Sequence, residues 1–261
     1  MPALYIASLF YLLGTLAVLL SLMLRSRRLQ HIALVSMVAG FVAHTVWIGV
    51  ICTRTGHPPL TNLPETAAFI GWTILLVELF LFIRYRVHAA AFFVYPLVLM
   101  LLSISLVVGE PFAHLDEAQR SNLFTSHLLL TTVGIAGLLI GLAFMILAQI
   151  QERALKMKHR GRLYDWIPSL RVCELVSYRA LSIGFAIYTI GLLAGVLWAY
   201  RTSPGVFSLR AKEIGALVAW VLFAVLVQAH VSGTYRTQKN AVVGAAAFVS
   251  ILVAIFGIQH G

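Results

Sequence analysis

The segment FTSHLLLTTVGIAGLLIGLAFMILA, residues 124–148, contains no Asp, Glu, Lys or Arg. Wound as an α-helix at about 1.5 Å per residue it spans roughly 37 Å, enough to cross a hydrocarbon core of about 30 Å. A lipid-facing β-strand would stop after about ten residues and would alternate in polarity, and this run does neither. Similar apolar spans lie near 3–24, 32–52, 65–83, 89–108, 181–200, 214–231 and 241–259. With 61% hydrophobic and 11% charged residues in 261, the chain does not have the charged exterior of a soluble domain. The expected fold is therefore all-α: one integral membrane domain over residues 1–261, a polytopic bundle of about eight transmembrane helices.

Charge orients the bundle. The first span has no basic residue before it and is followed at once by Arg25, Arg27 and Arg28, which predicts a retained helix with its amino end outside. Alternation then puts Arg84, Arg86, Arg153, Lys156, Lys158, Arg160, Arg162, Arg171, Arg179, Arg236 and Lys239 inside as well. Only Arg54, Arg120, Arg201, Arg210 and Lys212 fall outside. This positive-inside bias predicts both termini outside, and it accounts for the net charge of +10 through anionic headgroups rather than nucleic acid. Cys52 and Cys173 fall on opposite sides, so no disulfide between them is expected. Without a C-x-x-C, Walker, G-x-G-x-x-G or H-E-x-x-H sequence, nucleotide-driven pumps and zinc proteases are not indicated.

The pairs Gly137/Gly141 and Gly191/Gly195 have the small-x-x-x-small spacing that lets helices approach closely, read here as packing. Residues 151–179 read as a basic cytoplasmic loop. Leu170, Leu175 and Val176 are placed for a short helix lying along the headgroups or forming a docking surface.

Of nine histidines, depth singles out a few. His127 starts the fifth span, about one turn in, and His260 lies at the outer end of the eighth. Two imidazoles at similar depth on different helices can supply both axial ligands of a haem iron, although helix-end histidines are also commonly interfacial. His44 lies roughly 12 Å below the outer end of the second span, and an intramembrane histidine needs a partner. Glu78, in the third span, poses the same problem. His230, His88 and His31 fall near inner ends, either as a second site or as interfacial residues. Between the second and third spans, Thr61 or Asn62 is placed to cap a helix whose positive end Glu65 favours; alternatively His57, Asn62 and Glu65 line an outer cavity.

Four stretches carry a resemblance. GHPPLTNLPETAAFIGW, residues 56–72, is similar to a G-H-x-P-x-S/T-N-x-x-E segment through Gly56, His57, Pro59, Thr61, Asn62 and Glu65. SHLLLTTVGIAGLLIGLAFMIL is similar to a helix that opens on a haem-liganding histidine, here His127. SLRVCELVSYRALSIGFAIYTIGLLAGVLWA matches a loop and sixth helix through Tyr178, Arg179, Gly184, Gly191, Gly195 and Trp198. KEIGALVAW and AHVSG resemble the stretches that follow a tryptophan-rich loop. From about residue 40 onward the chain thus resembles the CcsA and HemX group of cytochrome c assembly proteins. Where the cytochrome c synthases of that group carry approximately W-G-x-x-W-x-W-D-P-K-E, this chain reads SPGVFSLRAKE, with Phe207 as the aromatic residue, which makes it more similar to the HemX-like branch.

The resemblance implies haem b held between helices, with His127 and His260 as axial ligands of an outer haem. It implies His44 as a competing outer-half ligand, His230 as an inner one, and His57, Asn62 and Glu65 over the haem edge. It implies no catalytic residue, and at most a part in a haem-attachment system, with apocytochrome c or a cytochrome c assembly subunit as partner in a bacterial inner membrane. The other function it implies is a HemX-like regulator acting on glutamyl-tRNA reductase through residues 151–179. A transporter of an unrelated ligand on the same fold stays open.

Overall fold

The computed structural model describes residues 2–85, 90–108, 120–157, 167–202, 211–232 and 237–256. Among these there are eight α-helices and no strand: α1 (Pro2–Leu24), α2 (Arg27–Thr55), α3 (Leu63–Tyr85), α4 (Ala91–Val108), α5 (Asn122–Lys156), α6 (Leu170–Thr202), α7 (Ala211–Val231) and α8 (Thr237–Phe256). All but α8 are long and apolar enough to cross a membrane, and α8 carries a shorter apolar core over Asn240–Ile255. The protein is a polytopic membrane helical bundle. Cys52 and Cys173 are both free thiols.

The helices form two compact units, residues 1–114 with 158–168, and 115–157 with 169–261. In the first, α1 packs on α2 and α4, while α3 packs on α4 and α2. The α1 and α2 helices run antiparallel, because Gly14 meets Met37 while Gly40 meets Tyr11. Their hairpin turns through Arg25, at φ 49°, and Ser26 caps α2 by accepting the Leu29 N–H. At the far end Gly56 closes α2 at φ 75°, a left-handed conformation natural to glycine, and donates its N–H to the Cys52 carbonyl.

In the second unit α5 packs on α6 and α8, and α7 packs on α6 and α8. Here the glycines set the spacing. A Cβ on Gly134 would lie 2.6 Å from the Tyr188 backbone nitrogen, one on Gly184 would lie 2.8 Å from the Leu138 nitrogen, and one on Gly141 would lie 2.7 Å from the Leu181 side chain. The α5 and α6 backbones touch because these positions carry no side chain.

The segment 151–179 differs from the expected loop. Gln151–Lys156 continue α5, supported by the Glu152–Lys156 pair one turn apart, and 170–179 are the opening turns of α6. Cys173, Val176 and Ser177 are buried, and Ser177 Oγ donates to the Gly141 carbonyl at 2.9 Å, so this face packs against α5 instead of lying on headgroups. Residues 158–166 lie outside the described part of the chain.

Candidate functional site

His127, in the second turn of α5, lies against α6. Its Nδ1 is 2.7 Å from the Gly191 carbonyl oxygen. A carbonyl only accepts, so Nδ1 carries the proton and the ring's lone pair is on Nε2. A backbone carbonyl holding one imidazole nitrogen while the other stays available is the usual arrangement of a metal-ligating histidine. Room for the ring comes from Gly195, where a Cβ would lie 2.5 Å from Nδ1. Thr131 Oγ1 donates back to the His127 carbonyl at 2.6 Å, and Phe124 packs on Trp198 with ring centroids 4.8 Å apart. The donor chemistry of this position fits haem iron.

His230 belongs to another level of the same unit. Its ring stacks on Tyr178 of α6 at 5.5 Å, and Nδ1 donates to the Leu226 carbonyl at 3.0 Å. His127 meets α6 at Gly191 and His230 meets it at Tyr178, which corresponds to roughly 20 Å along the α6 axis at about 1.5 Å per residue. The two histidines cannot share one iron. Between them, Tyr188 donates to the Ala216 carbonyl at 3.2 Å and Trp220 Nε1 donates to Thr189 Oγ1 at 3.0 Å, fixing α7 antiparallel to α6.

His260 lies outside the described residues. A Cβ on Gly215, near the start of α7, would meet the Ala254 nitrogen of α8 at 3.0 Å. The Phe256 end of α8 therefore lies at the start of α7, the end of the unit that also holds His127.

In the first unit, the segment 56–65 closes on itself. Asn62 Oδ1 accepts the Glu65 N–H at 2.9 Å and caps α3. Glu65 Oε2 accepts from the Thr61 N–H at 3.0 Å and the Thr61 hydroxyl at 2.7 Å, and Oε1 accepts from Asn62 Nδ2 at 3.3 Å. Pro59, Leu60, Pro64 and Glu65 are buried, so the loop is held down against the helices. His57 is half-buried, with Nδ1 donating to the Pro58 carbonyl at 3.0 Å.

His44 is fully buried, and its Nδ1 lies 3.2 Å from the Tyr11 hydroxyl of α1. Its Nε2 has no hydrogen-bond partner, nor has Nε1 of Trp47, whose ring lies 5.7 Å away. Tyr11 and Trp47 were not candidates from sequence, because each reads as an ordinary apolar-face aromatic. The role of Gly195 was equally hidden, since its spacing with Gly191 signals helix packing whether or not a ring is lodged there.

Residues 60–260 match the family described as cytochrome C assembly protein. The chain is 25% identical to "Cytochrome c biogenesis protein CcsA" of Guillardia theta, over 86% of this chain and 81% of that protein. It is 24% identical to the protein of that name from Trieres chinensis, over 88% and 85%. To the one from Prochlorococcus marinus (strain MIT 9301) it is 25% identical, over 78% and 74%. With a match over most of its length, on a helical membrane fold that places His127 as described, the chain belongs to the cytochrome C assembly protein family.

Proposed function

We propose that this protein handles haem within a bacterial inner membrane in support of cytochrome c assembly, binding haem b through His127 and, from the chain end, His260. The observation that carries this reading is the Nδ1–H of His127 held by the Gly191 carbonyl, which presents Nε2 as a ligand. Haem would bring an iron with two axial positions, and two imidazoles fill both, which suits storage or transfer rather than oxygen chemistry.

The chain's own residues orient and exclude. Gly191 and Gly195 seat the His127 ring, and the Phe124–Trp198 pair shields the α5–α6 seam beside it. His230 serves a second level in the same unit, and His44 is a further candidate ligand in the first unit. His57, Asn62 and Glu65 contribute through the segment 56–65, which Asn62 and Glu65 hold closed over the end of the first unit. The partner is apocytochrome c or another assembly subunit, as the name of the relatives suggests. Those relatives lend no support to regulation of glutamyl-tRNA reductase.

The test is the absorption spectrum and haem content of the protein purified from membranes, compared with His127→Ala. A low-spin Soret band that is lost or converted in the variant is expected. A wild-type protein that takes up no haem even on reconstitution overturns the reading.

A further inference from the structure

Glu78 lies on α3, about two turns or roughly 10 Å from its Tyr85 end. It is 2% exposed, and neither carboxyl oxygen has a hydrogen-bond partner. On α4, which packs against α3, Tyr95 is 1% exposed and its hydroxyl is equally without a partner. A Cβ on Gly71 of α3 would lie 3.6 Å from the Val98 side chain and 3.7 Å from that of Leu101 on α4, so Glu78, two turns further toward the short α3–α4 connection, falls near the level of Tyr95 at the start of α4. A third residue of this kind, Thr15, has its unpartnered Oγ1 buried on α1, which packs on α4.

Among the described residues of this unit, no charged group is placed to compensate a carboxylate there. Along Ala91–Val108, α4 has no charged residue, and Tyr95 is its only titratable one. On α2, Arg27, Arg28, His31 and Arg54 are exposed in the end turns, Cys52 beside Arg54 is a free cysteine, and His44 is engaged with Tyr11. The α1 helix has no charged residue along Pro2–Leu24, and its tyrosines are Tyr5, which is exposed, and Tyr11. On α3 itself Arg84 is exposed near the Tyr85 end, and Glu65 is occupied by Thr61 and Asn62 at the other. A bare carboxylate within a membrane span is heavily penalised, and such groups persist as neutral acids or as relay points for protons.

We propose that Glu78 is a proton-binding site within the membrane span, neutral in the resting protein, with the Tyr95 hydroxyl placed to share its proton. On release, the Glu78 O–H bond breaks and the proton passes to water entering from the Tyr85 end. The carboxylate left behind accepts from the Tyr95 O–H, and uptake is the reverse, with no electron transferred. This site is independent of any haem ligand.

Infrared difference spectroscopy of the full-length protein in lipid nanodiscs tests it. At neutral pH the wild type should show a deuterium-sensitive carboxylic-acid carbonyl band that bleaches reversibly on alkaline titration. The band should vanish in Glu78→Gln and shift in Tyr95→Phe, a substitution that removes only a hydroxyl already lacking a partner. If Glu78→Gln does not fold, the Tyr95→Phe shift remains as the readout. No acid band at neutral pH, a band unchanged in Glu78→Gln, or no shift in Tyr95→Phe overturns the proposal. Loss of the band on adding sodium at constant pH also overturns it, in favour of a cation site.

Discussion

His127 Nδ1 sits 2.7 Å from the Gly191 carbonyl oxygen, and the ring occupies the space that a side chain at Gly195 would fill. One turn of α6 thus both orients the imidazole and makes room for it. This tie between α5 and α6 has consequences that do not depend on the histidine's own substitution.

Gly195→Ala should displace the His127 ring, since the new Cβ would lie 2.5 Å from Nδ1. Haem content and the Soret band should fall toward those of His127→Ala. Gly49→Ala, where a Cβ meets nothing within 4 Å, should leave both unchanged and serves as the control. Equal spectra for Gly195→Ala and wild type would show that the ring's seat does not matter to binding.

Gly134→Ala should weaken the α5–α6 contact itself, because its Cβ would press on the Tyr188 backbone, which cannot step aside as a side chain can. Overpacking of this kind costs about 1–3 kcal/mol. Thermal unfolding in detergent should register the loss as a lower midpoint, and an unchanged midpoint would contradict the close approach.

Asn62→Ala should cost about 0.5–2 kcal/mol as the loss of an N-cap. Glu65→Ala should be at least as damaging, since Thr61 and Asn62 donors lose their acceptor in a buried setting. If the segment acts only by closing over the helices, haem content per folded protein stays at the wild-type level in both variants. A drop in haem content without a drop in stability would give these residues a direct role toward the ligand.

Tyr11→Phe should leave both nitrogens of the buried His44 ring without a partner and destabilise the first unit by about 1–3 kcal/mol. The same variant tests His44 as a ligand: a spectral change beyond that of a stability-matched control such as Asn62→Ala would tie His44 to iron.

The number and course of the membrane helices were legible in the chain, because long uncharged runs have one stable form in lipid and that form is local. The cap at Asn62 and Glu65 was legible for the same reason, since a capping contact reaches only three or four residues. Within the segment 151–179, expected as a loop with a short helix, the two ends are turns of α5 and α6. Its polar residues suit a solvated helix as well as an irregular chain, and only the burial of Cys173, Val176 and Ser177 against α5 separates them. The surroundings of His127, His44 and Glu78 were not legible at all. Each is set by which faces of α5 and α6, α1 and α2, or α3 and α4 come together, and in a uniformly apolar span periodicity does not mark that face. The sequence by itself determined that this is a helical membrane protein with histidines at certain depths. Only tertiary packing decided that His127 is seated by Gly191 and Gly195, that His230 lies on a different level, and that Glu78 and Tyr95 are buried without hydrogen-bond partners on helices packed together. Helix rise sets depth residue by residue, whereas contact depends on rotation and register between helices far apart in the chain.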